Sequence, residues 1–196
     1  MHAIIEIYLK QIYSQNEKKK LYCAFIDYQK VFDLIDRSCL WAKLLACNIK
    51  GKIMKLISNL YQNTKACVKL NNKISQSFIC NIGVRQGDNL SPLLFAIYIN
   101  DFEKYLSEKF NGLESLNNVY TNVAANDEIL TLLKLYVLLY ADDTIIMAEG
   151  PNELQLALNA LSEYCQAWKL TINIDKTKII RFSRGKPKKK LYKFSC

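Results

Sequence analysis

Residues 135–148 read LYVLLYADDTIIMA. In this stretch two apolar runs, 135–140 and 144–148, flank the adjacent carboxylates of Asp142 and Asp143. Short apolar runs rich in β-branched and aromatic side chains are typical of strands covered on both faces, so the stretch predicts a hairpin with an acidic tip. Because two carboxylates about 4 Å apart repel by about 4 kcal/mol at an effective dielectric near 20, the tip favours a divalent cation. The alternative is an ordinary aspartate-rich turn.

A third carboxylate favours the cation site over the turn. Residues 21–26 (LYCAFI) form another short apolar run, and Asp27 follows it directly. Two strand segments would then bring the carboxylates of Asp27, Asp142 and Asp143 to one edge of a sheet. Mg²⁺ prefers carboxylate, water and substrate phosphate oxygens to a cage made wholly of protein. The pattern therefore predicts a site for a pair of Mg²⁺ ions at this edge.

Four blocks of the sequence carry a resemblance to a known family. In chain order they are 25–33 (FIDYQKVFD), 83–95 (GVRQGDNLSPLLF), 140–143 (YADD) and 170–178 (LTINIDKTK). They resemble motifs A, B, C and D of the reverse transcriptases of non-LTR (LINE-type) retrotransposons, and the resemblance runs from about residue 21 to residue 184. A lone YADD is a weak signal, whereas four ordered blocks of this length are a specific one.

The resemblance implies an RNA-directed DNA polymerase. In that reaction a primer 3′-hydroxyl attacks the α-phosphate of a deoxynucleoside triphosphate (dNTP) and pyrophosphate leaves. The implied partners are an RNA template, a DNA primer and dNTPs. The implied cofactor is a pair of Mg²⁺ ions about 3.5–4 Å apart, with Mn²⁺ as a substitute. By match to the motifs, Asp27 and Asp142 bind both ions, and Asp143 mainly binds the ion nearer the primer terminus.

Three further residues take roles from the same match. Phe32 corresponds to the family's steric gate, a ring that excludes a ribose 2′-hydroxyl; the alternative is a buried aromatic on a helix face. Lys176 corresponds to the motif D lysine that protonates or neutralises the leaving pyrophosphate; the alternative is an ordinary surface lysine. We expect Tyr140 to pack near the primer end.

The loop of motif B supplies the remaining substrate contacts. Gln86 and Gly87 resemble the family's contact with the dNTP and the template, where glycine lets the backbone approach a nucleotide closely. Arg85 is expected either to contact a phosphate or to form a structural ion pair at the surface. Asp33 and Asp36 are interpreted as turn or cap residues and are left out of the site.

The order of the predicted elements indicates an α+β fold, a polymerase palm-like antiparallel sheet with helices packed on one face. Helical spacing predicts helices at 1–13, 31–47, 51–61, 91–109 and 151–168. Apolar runs and turn residues predict strands at 21–26, 66–70, 74–82, 135–140, 144–148 and 179–182.

Local signals add detail to these elements. Ser38 is the predicted N-cap of a helix over residues 39–47. Ser91 is the predicted N-cap of a second helix, which has Pro92 in its first position. Asn71 and Asn72 tolerate positive φ, which predicts a tight turn between two strands.

The segment 51–61 has a regular amphipathic pattern. Its apolar residues follow the i, i+3, i+4, i+7, i+8 spacing of a helix face: Ile53, Leu56, Ile57, Leu60 and Tyr61. We expect this whole face to lie in the core. Residues 112–126, between motifs B and C, are rich in asparagine and lack periodicity, which predicts a loop.

Composition bounds the class of protein. The net charge is +9, and residues 176–196 contain nine basic side chains and no acidic one. Removing those nine from the 27 basic residues leaves 18, which the 18 acidic residues balance. The basic end could attract a phosphate backbone, although a solvated tail is an equal alternative. A single histidine and the absence of a P-loop disfavour triad hydrolases and P-loop enzymes.

Seven cysteines without a CxxC pair are interpreted as reduced thiols of an intracellular protein, in the nucleus or the cytoplasm. We expect no membrane span, because no apolar stretch reaches 18 residues, and no secretory signal at residues 1–10. The sequence does not indicate an oligomeric state.

The predicted domain organisation has three parts: an N-terminal helix and link at 1–20, a reverse transcriptase palm at 21–184 and a basic tail at 185–196. We expect few residues of the fingers and no thumb. Two departures from the family's pattern are Val31, where alanine is usual, and Lys169, where glycine is frequent. The alternative to an active palm is a noncatalytic retrotransposon remnant or nucleic-acid-binding module whose affinity comes from the basic tail.

Overall fold

The computed structural model describes residues 20–85, 87–109, 137–140 and 143–183, with strand 137–140 described by its backbone. The predicted helix at 1–13, the predicted loop at 112–126 and the basic tail at 185–196 lie outside the described residues. In chain order the elements are β1 (Lys20–Ile26), α1 (Val31–Leu34), α2 (Arg37–Ala46), α3 (Gly51–Gln62), β2 (Lys65–Ala66), β3 (Lys69–Leu70), β4 (Lys73–Ile74), β5 (Phe78–Ile79), α4 (Leu90–Ile99), α5 (Phe102–Lys109), β6 (Val137–Tyr140), β7 (Asp143–Ala148), α6 (Pro151–Ala167) and β8 (Lys178–Ser183).

Four antiparallel strands form the main sheet, in the spatial order β6-β7-β1-β8. β6 and β7 form the predicted hairpin, with Tyr140 opposite Asp143. β1 lies beside β7, with Ile26 opposite Thr144 in the last pair of their ladder. Both β1 and β7 are buried along nearly their whole length, as the continuous apolar runs predicted.

Helix α6 packs on this sheet against β1 and β7. This helix was predicted over 151–168 and ends at Ala167, and its buried side chains include Leu154, Leu158, Leu161 and Cys165. Helix α5 packs on α6 through Phe102 and Tyr164, whose ring centroids are 4.8 Å apart. Helices on a face of an antiparallel sheet are the predicted α+β arrangement.

The described residues divide into two compact units that are not continuous in sequence. Unit 1 contains the main sheet, α5 and α6. Unit 2 contains α1 to α4, the strands β2 to β5 and residues 168–171. The predicted boundaries near residues 20 and 184 coincide with the ends of the described residues, so the three-part domain organisation stays a prediction.

In unit 2, the helical segment after motif A is broken in two. α1 ends at Leu34, and the N-cap of α2 is Asp36, not the predicted Ser38. The Asp36 carboxylate accepts hydrogen bonds from the backbone N–H groups of Ser38 and Cys39, at 2.9 and 3.1 Å. A carboxylate at this position satisfies two donors of the first turn. The interpretation of Asp36 as a cap residue is therefore confirmed.

Helix α3 contradicts the prediction that its whole apolar face is core. Ile57 and Tyr61 are buried, but Ile53, Leu56 and Leu60 are 62%, 65% and 44% exposed. The periodicity correctly marked the apolar side of the helix. The helix packs on α2, but of the five apolar residues only Ile57 and Tyr61, one turn apart, are buried.

Helix α4 begins one residue before the predicted cap. Ser91 lies inside the helix, and its hydroxyl donates to the carbonyl of Arg85 at 2.6 Å. The side chain that serves the helix start is Asp88, whose carboxylate accepts from the N–H of Leu90 at 3.1 Å. Ser91 therefore holds the preceding loop instead of capping the helix.

The predicted helix 91–109 is two helices, because the chain turns between Ile99 and Phe102. In unit 2, Asp101 in this turn forms an ion pair with Lys43. The Lys43 ammonium is buried and lies 3.5 Å from the ring centroid of Trp168. Burial lowers the pKa of Lys43, and the Asp101 carboxylate opposes that shift.

The hairpin at Asn71 and Asn72 is confirmed. Both residues have positive φ, 46° and 64°, which allows the tight turn between β3 and β4. The strands around it are shorter than predicted: β3 pairs with β4, and β2 pairs with β5, over two residues each.

The six cysteines within the described residues are free thiols. Cys23 and Cys165 lie in the core, and burial raises the pKa of each thiol to about 12. No helix in the described parts of the chain is long and apolar enough to cross a membrane.

Candidate active site

Asp27 and Asp143 lie at the same edge of the main sheet. Asp27 follows the last residue of β1, and Asp143 is the first residue of β7. Because the ladder ends with Ile26 opposite Thr144, the next step of the same register places Asp27 opposite Asp143. Side chains opposite one another in antiparallel strands have Cβ atoms about 5 Å apart. Asp27 is half-buried and Asp143 is exposed, so solvent reaches both.

Two residues of motif C are the paired ends of β6 and β7, since Tyr140 lies opposite Asp143. Asp142 and the side chain of Tyr140 lie outside the described residues, so their roles stay predictions. Among the described residues, which do not include Asp142, no group of three side chains is arranged to hold a metal ion.

Motif D is attached to the backbone of Asp27. The N–H of Asn173 donates to the carbonyl of Asp27 at 2.7 Å, and the N–H of Asp27 donates to Oγ1 of Thr177 at 3.3 Å. The neighbouring Tyr28 forms a single antiparallel bridge with Ile172. Both backbone polar groups of Asp27 are thus bonded to motif D, which fixes the direction of its side chain.

Lys176 lies in the turn that these bonds hold. The turn is closed by a hydrogen bond from the N–H of Thr177 to the carbonyl of Asn173, at 2.9 Å. The N–H of Lys176 donates to Oδ1 of Asn173 at 3.3 Å. The Lys176 side chain is exposed. Motif D therefore connects the lysine to the backbone of Asp27 through Asn173.

Tyr28 and Thr144, which directly follow Asp27 and Asp143 in sequence, are neutral. Oγ1 of Thr144 donates to the Tyr28 hydroxyl at 3.4 Å, and both residues are buried. Burial, with a smaller contribution from Cys165, raises the pKa of Tyr28 above its usual range. The phenol stays protonated, so Tyr28 adds no negative charge next to Asp27.

The donor set at this edge fits a hard divalent cation. Asp27 and Asp143 supply carboxylate oxygens, the ligands that Mg²⁺ prefers. Neither carboxylate forms an ion pair with a lysine or arginine among the described residues. Two carboxylates this close repel each other, and a cation bound between them would remove that repulsion.

In unit 2, the motif B loop begins against the backbone of motif A. Gly83 has φ +77°, and a Cβ at this position would lie 2.5 Å from the carbonyl oxygen of Asp33. The N–H of Gly83 donates to the carbonyl of Ile35 at 2.8 Å, and the N–H of Val84 donates to the carbonyl of Phe32 at 2.7 Å. Only glycine allows this approach.

Phe32 is half-buried and packs on the ring of Phe95 in α4, with centroids 5.5 Å apart. The contact with Phe95 supports the alternative of a helix-packing aromatic. The remaining exposure leaves part of the ring free for the steric-gate role, which stays a prediction.

The other predicted substrate contacts of motif B differ in their surroundings. Arg85 donates to the carbonyl of Leu60 at 2.9 Å, so its partner is a backbone oxygen and not the carboxylate of an ion pair. Gly87 has φ +79°, and a Cβ added there would have nothing within 4 Å, which explains glycine by conformation alone. Gln86 lies outside the described residues. A cavity of about 420 Å³ lies beside Arg85 and is lined in part by residues 78–84.

Sequence reasoning missed four residues that position the site. Asn173 and Thr177 hold Asp27, and Gly83 and Arg37 hold the motif B loop. Three of the four lie inside the motif blocks quoted above, but the motif match predicted functions only for residues that contact substrate or metal. Arg37 stands outside every block, and no local pattern marked it.

The sequence model of the family described as "Reverse transcriptase (RNA-dependent DNA polymerase)" matches residues 1–194. The chain is 25% identical over 188 residues to the Retrovirus-related Pol polyprotein from type-2 retrotransposable element R2DM of Drosophila melanogaster, covering 96% of this chain and 16% of that polyprotein. It is 23% identical over 193 residues to the RNA-directed DNA polymerase from mobile element jockey of Drosophila funebris, covering 94% of this chain and 18% of that protein.

A solved structure shares the fold. Apo telomerase from Candida tropicalis, truncated from its C-terminal domain, superimposes with a TM-score of 0.61 at 16% identity, covering 94% of this chain and 35% of that one. At this identity the similarity concerns the fold alone, and it confirms the predicted palm-like α+β class.

The chain belongs to the reverse transcriptase (RNA-dependent DNA polymerase) family. The retrotransposon relatives confirm the resemblance to LINE-type enzymes on which motifs A to D were matched. The chain spans less than one fifth of the length of the two retrotransposon proteins.

Proposed function

We propose that this chain is the palm of an RNA-directed DNA polymerase that extends a DNA primer on an RNA template with dNTPs. The observation that carries the proposal is the meeting of Asp27 and Asp143 at one sheet edge. Motif D adds to it, because it is bonded to both backbone polar groups of Asp27. The family of the chain supports the same reaction.

Asp27, Asp142 and Asp143 would hold a pair of Mg²⁺ ions, or Mn²⁺ in their place. When bound, such a pair supplies charge stabilisation to the attacking and leaving oxygens and lowers the pKa of the primer hydroxyl. The contribution of the chain is geometric. Strands β1 and β7 fix the separation of their two carboxylates by register, since a slip of one residue would turn either side chain to the other face.

Lys176 would hold a proton close to the leaving pyrophosphate. Its exposed ammonium lies on the turn that is bonded to Asp27, which supports a position near the developing negative charge. A positively charged donor there stabilises the leaving group and can transfer its proton.

Phe32 and the motif B loop would select the sugar and orient the nucleotide. The ring of Phe32 is restrained by Phe95, and the backbone carbonyl of Phe32 receives the N–H of Val84. A restrained ring excludes a 2′-hydroxyl by steric repulsion. Arg85, Gln86 and Gly87 would contact the dNTP and the template, and Tyr140 the primer end.

Primer extension on an RNA template tests the proposal. Wild-type chain should add dNTPs in the presence of Mg²⁺ and stop after EDTA treatment, and Asp27→Asn should remove activity without changing thermal unfolding. The proposal fails if the folded wild-type chain binds template and primer but adds no nucleotide, with Mg²⁺ or with Mn²⁺.

A second candidate function is a noncatalytic nucleic-acid-binding module. The nine basic and no acidic residues at 176–196 favour it, because each phosphate contact adds salt-dependent affinity. Deleting residues 185–196 should then abolish RNA binding, whereas Asp142→Asn should leave it unchanged. Retained binding after the deletion would exclude this candidate.

A further inference from the structure

Arg37 makes three hydrogen bonds to backbone carbonyls of two other segments of unit 2. Its Nε donates to Gly83 at 2.9 Å, Nη1 to Tyr61 at 2.7 Å and Nη2 to Ile82 at 3.2 Å. Its guanidinium carbon also lies 5.2 Å from the centroid of the Tyr61 ring. One side chain thus joins the start of α2, the end of α3 and the start of the motif B loop.

Arg37 is the nearer of two side-chain donors to the Tyr61 carbonyl, since the hydroxyl of Thr64 also donates to it, at 3.2 Å. Tyr61 lies in the last turn of α3, where backbone carbonyls have no intrahelical partner. A cation at this end also interacts favourably with the helix dipole. Arg85 does the same for the adjacent carbonyl of Leu60. The two arginines therefore fasten the motif B loop to a fixed point at the end of α3.

The same loop is fixed on its other side by motif A. Gly83 and Val84 donate their N–H groups to Ile35 and Phe32, and Gly83 lies too close to Asp33 for any side chain. Arg37 donates to the carbonyls of Ile82 and Gly83, which belong to the two peptide groups directly before Val84. The loop can therefore slide along Phe32 only if the Arg37 bonds break.

We propose that Arg37 is a positioning residue that sets the motif B loop against Phe32, so that it controls sugar selection without contacting substrate. The proposal rests on the proposed polymerase function for its consequence, but its structural part does not. A planar guanidinium can reach three carbonyls at once, whereas a lysine ammonium, although also charged, cannot reproduce that fork. Charge alone would then not restore the function.

The first experiment measures hydrogen exchange and needs no catalysis. In Arg37→Lys, exchange of the Gly83 and Val84 amides should accelerate about tenfold or more, while amides of the main sheet keep their protection. Lys52→Ala, which removes an exposed lysine from α3, is the matched control and should change neither. Unchanged exchange at Gly83 and Val84 in a folded Arg37→Lys protein would overturn the proposal.

The second experiment measures the preference for dNTP over rNTP, as a ratio of kcat/KM values. Arg37→Lys should reduce this ratio about tenfold, since displacements of about 1 Å can change rates by two orders of magnitude. A purely structural role would lower both kcat/KM values together and leave the ratio unchanged, and that result would overturn the proposal. If the wild-type chain adds no nucleotide, the polymerase function fails, and the exchange experiment alone decides the role of Arg37.

Discussion

The core of unit 1 buries its regular apolar patterns, whereas helix α3 in unit 2 leaves most of its apolar face exposed. In unit 1, Ile146 of β7 and Leu158 of α6 are almost fully buried. In unit 2, Ile53 and Leu56 of α3 are more exposed than buried, although they follow the helical spacing that predicted a core face. The difference teaches that periodicity identifies which side of an element is apolar. Whether that side is covered depends on elements far away in sequence.

The two regions also differ in how they hold functional groups. Asp27 and Asp143 extend from two strands that are buried along most of their length, so their separation follows from the sheet register. The motif B loop is held instead by separate hydrogen bonds from Arg37, Gly83 and Val84. We expect the sheet edge to be rigid and the position of the loop to depend on a few individual hydrogen bonds.

The largest expected effect separates chemistry from fold at the sheet edge. Asp143→Asn should lower kcat at least about 10³-fold, because it removes a charge of the proposed metal site while keeping the shape of the side chain. Primer extension under single-turnover conditions measures the loss. Asp175→Asn is the matched control, an exposed carboxylate on the motif D turn. If both variants lost activity equally, the edge carboxylates would have no special role.

A pair of truncations tests the difference in burial directly. Ile146→Ala should lower the free energy of unfolding by about 2–5 kcal/mol, because it leaves a cavity in the core. Leu56→Ala should change it by about 0.5 kcal/mol or less, as for other surface positions. Urea unfolding followed by circular dichroism measures both. A large loss in Leu56→Ala would mean that α3 is covered in solution.

Two glycine substitutions test how closely the motif B loop approaches motif A. Gly83 and Gly51 both have positive φ, +77° and +66°, but only Gly83 has backbone atoms where a Cβ would lie. Gly51→Ala should cost about 1 kcal/mol, and Gly83→Ala about 1–3 kcal/mol more, since the clash adds to the backbone strain. Thermal unfolding of the two variants gives the difference. Equal costs would show that the loop moves away freely.

The smallest expected effect concerns the ion pair between Asp36 and Lys169. Lys169, followed by Ser38 and Cys39, lowers the pKa of Asp36 below its usual range. A lowered folded-state pKa adds stability above about pH 4, the unfolded value, which is lost as the pH falls further. In Lys169→Gly the free energy of unfolding should fall less steeply as the pH is lowered. Its value at pH 7 should change little, because glycine relieves the strain of the positive φ of 54° at this position and so offsets the lost ion pair.

Unfolding in urea between pH 3 and pH 7 measures this dependence. Asp36→Asn, which keeps a capping side chain without the charge, should flatten the same part of the curve. A curve for Lys169→Gly that follows the wild type throughout would mean that the ion pair does not hold in solution.

Local chemistry was predictable at several places where a residue acts on its own neighbours, although the cap of α2 is Asp36 and not the predicted Ser38. The Asn71–Asn72 turn, the helix α6 and the β6–β7 hairpin were correct, because each depends on residues a few positions apart. The Ser91 cap was wrong because the hydroxyl bonds to Arg85, a partner in the preceding loop. Lys169 stands where glycine is frequent in the family. The structure explains that preference for glycine, because the backbone at this position is left-handed.

Motif order and apolar runs were enough to predict the family, the α+β class and the two carboxylates Asp27 and Asp143 at the strand ends. The register of Asp27 opposite Asp143, the bonds of motif D to the backbone of Asp27 and the three contacts of Arg37 are visible only in the folded chain. Each of these contacts joins residues between about 20 and 150 positions apart. Their partners are selected by packing of the whole chain, and no local pattern records that selection.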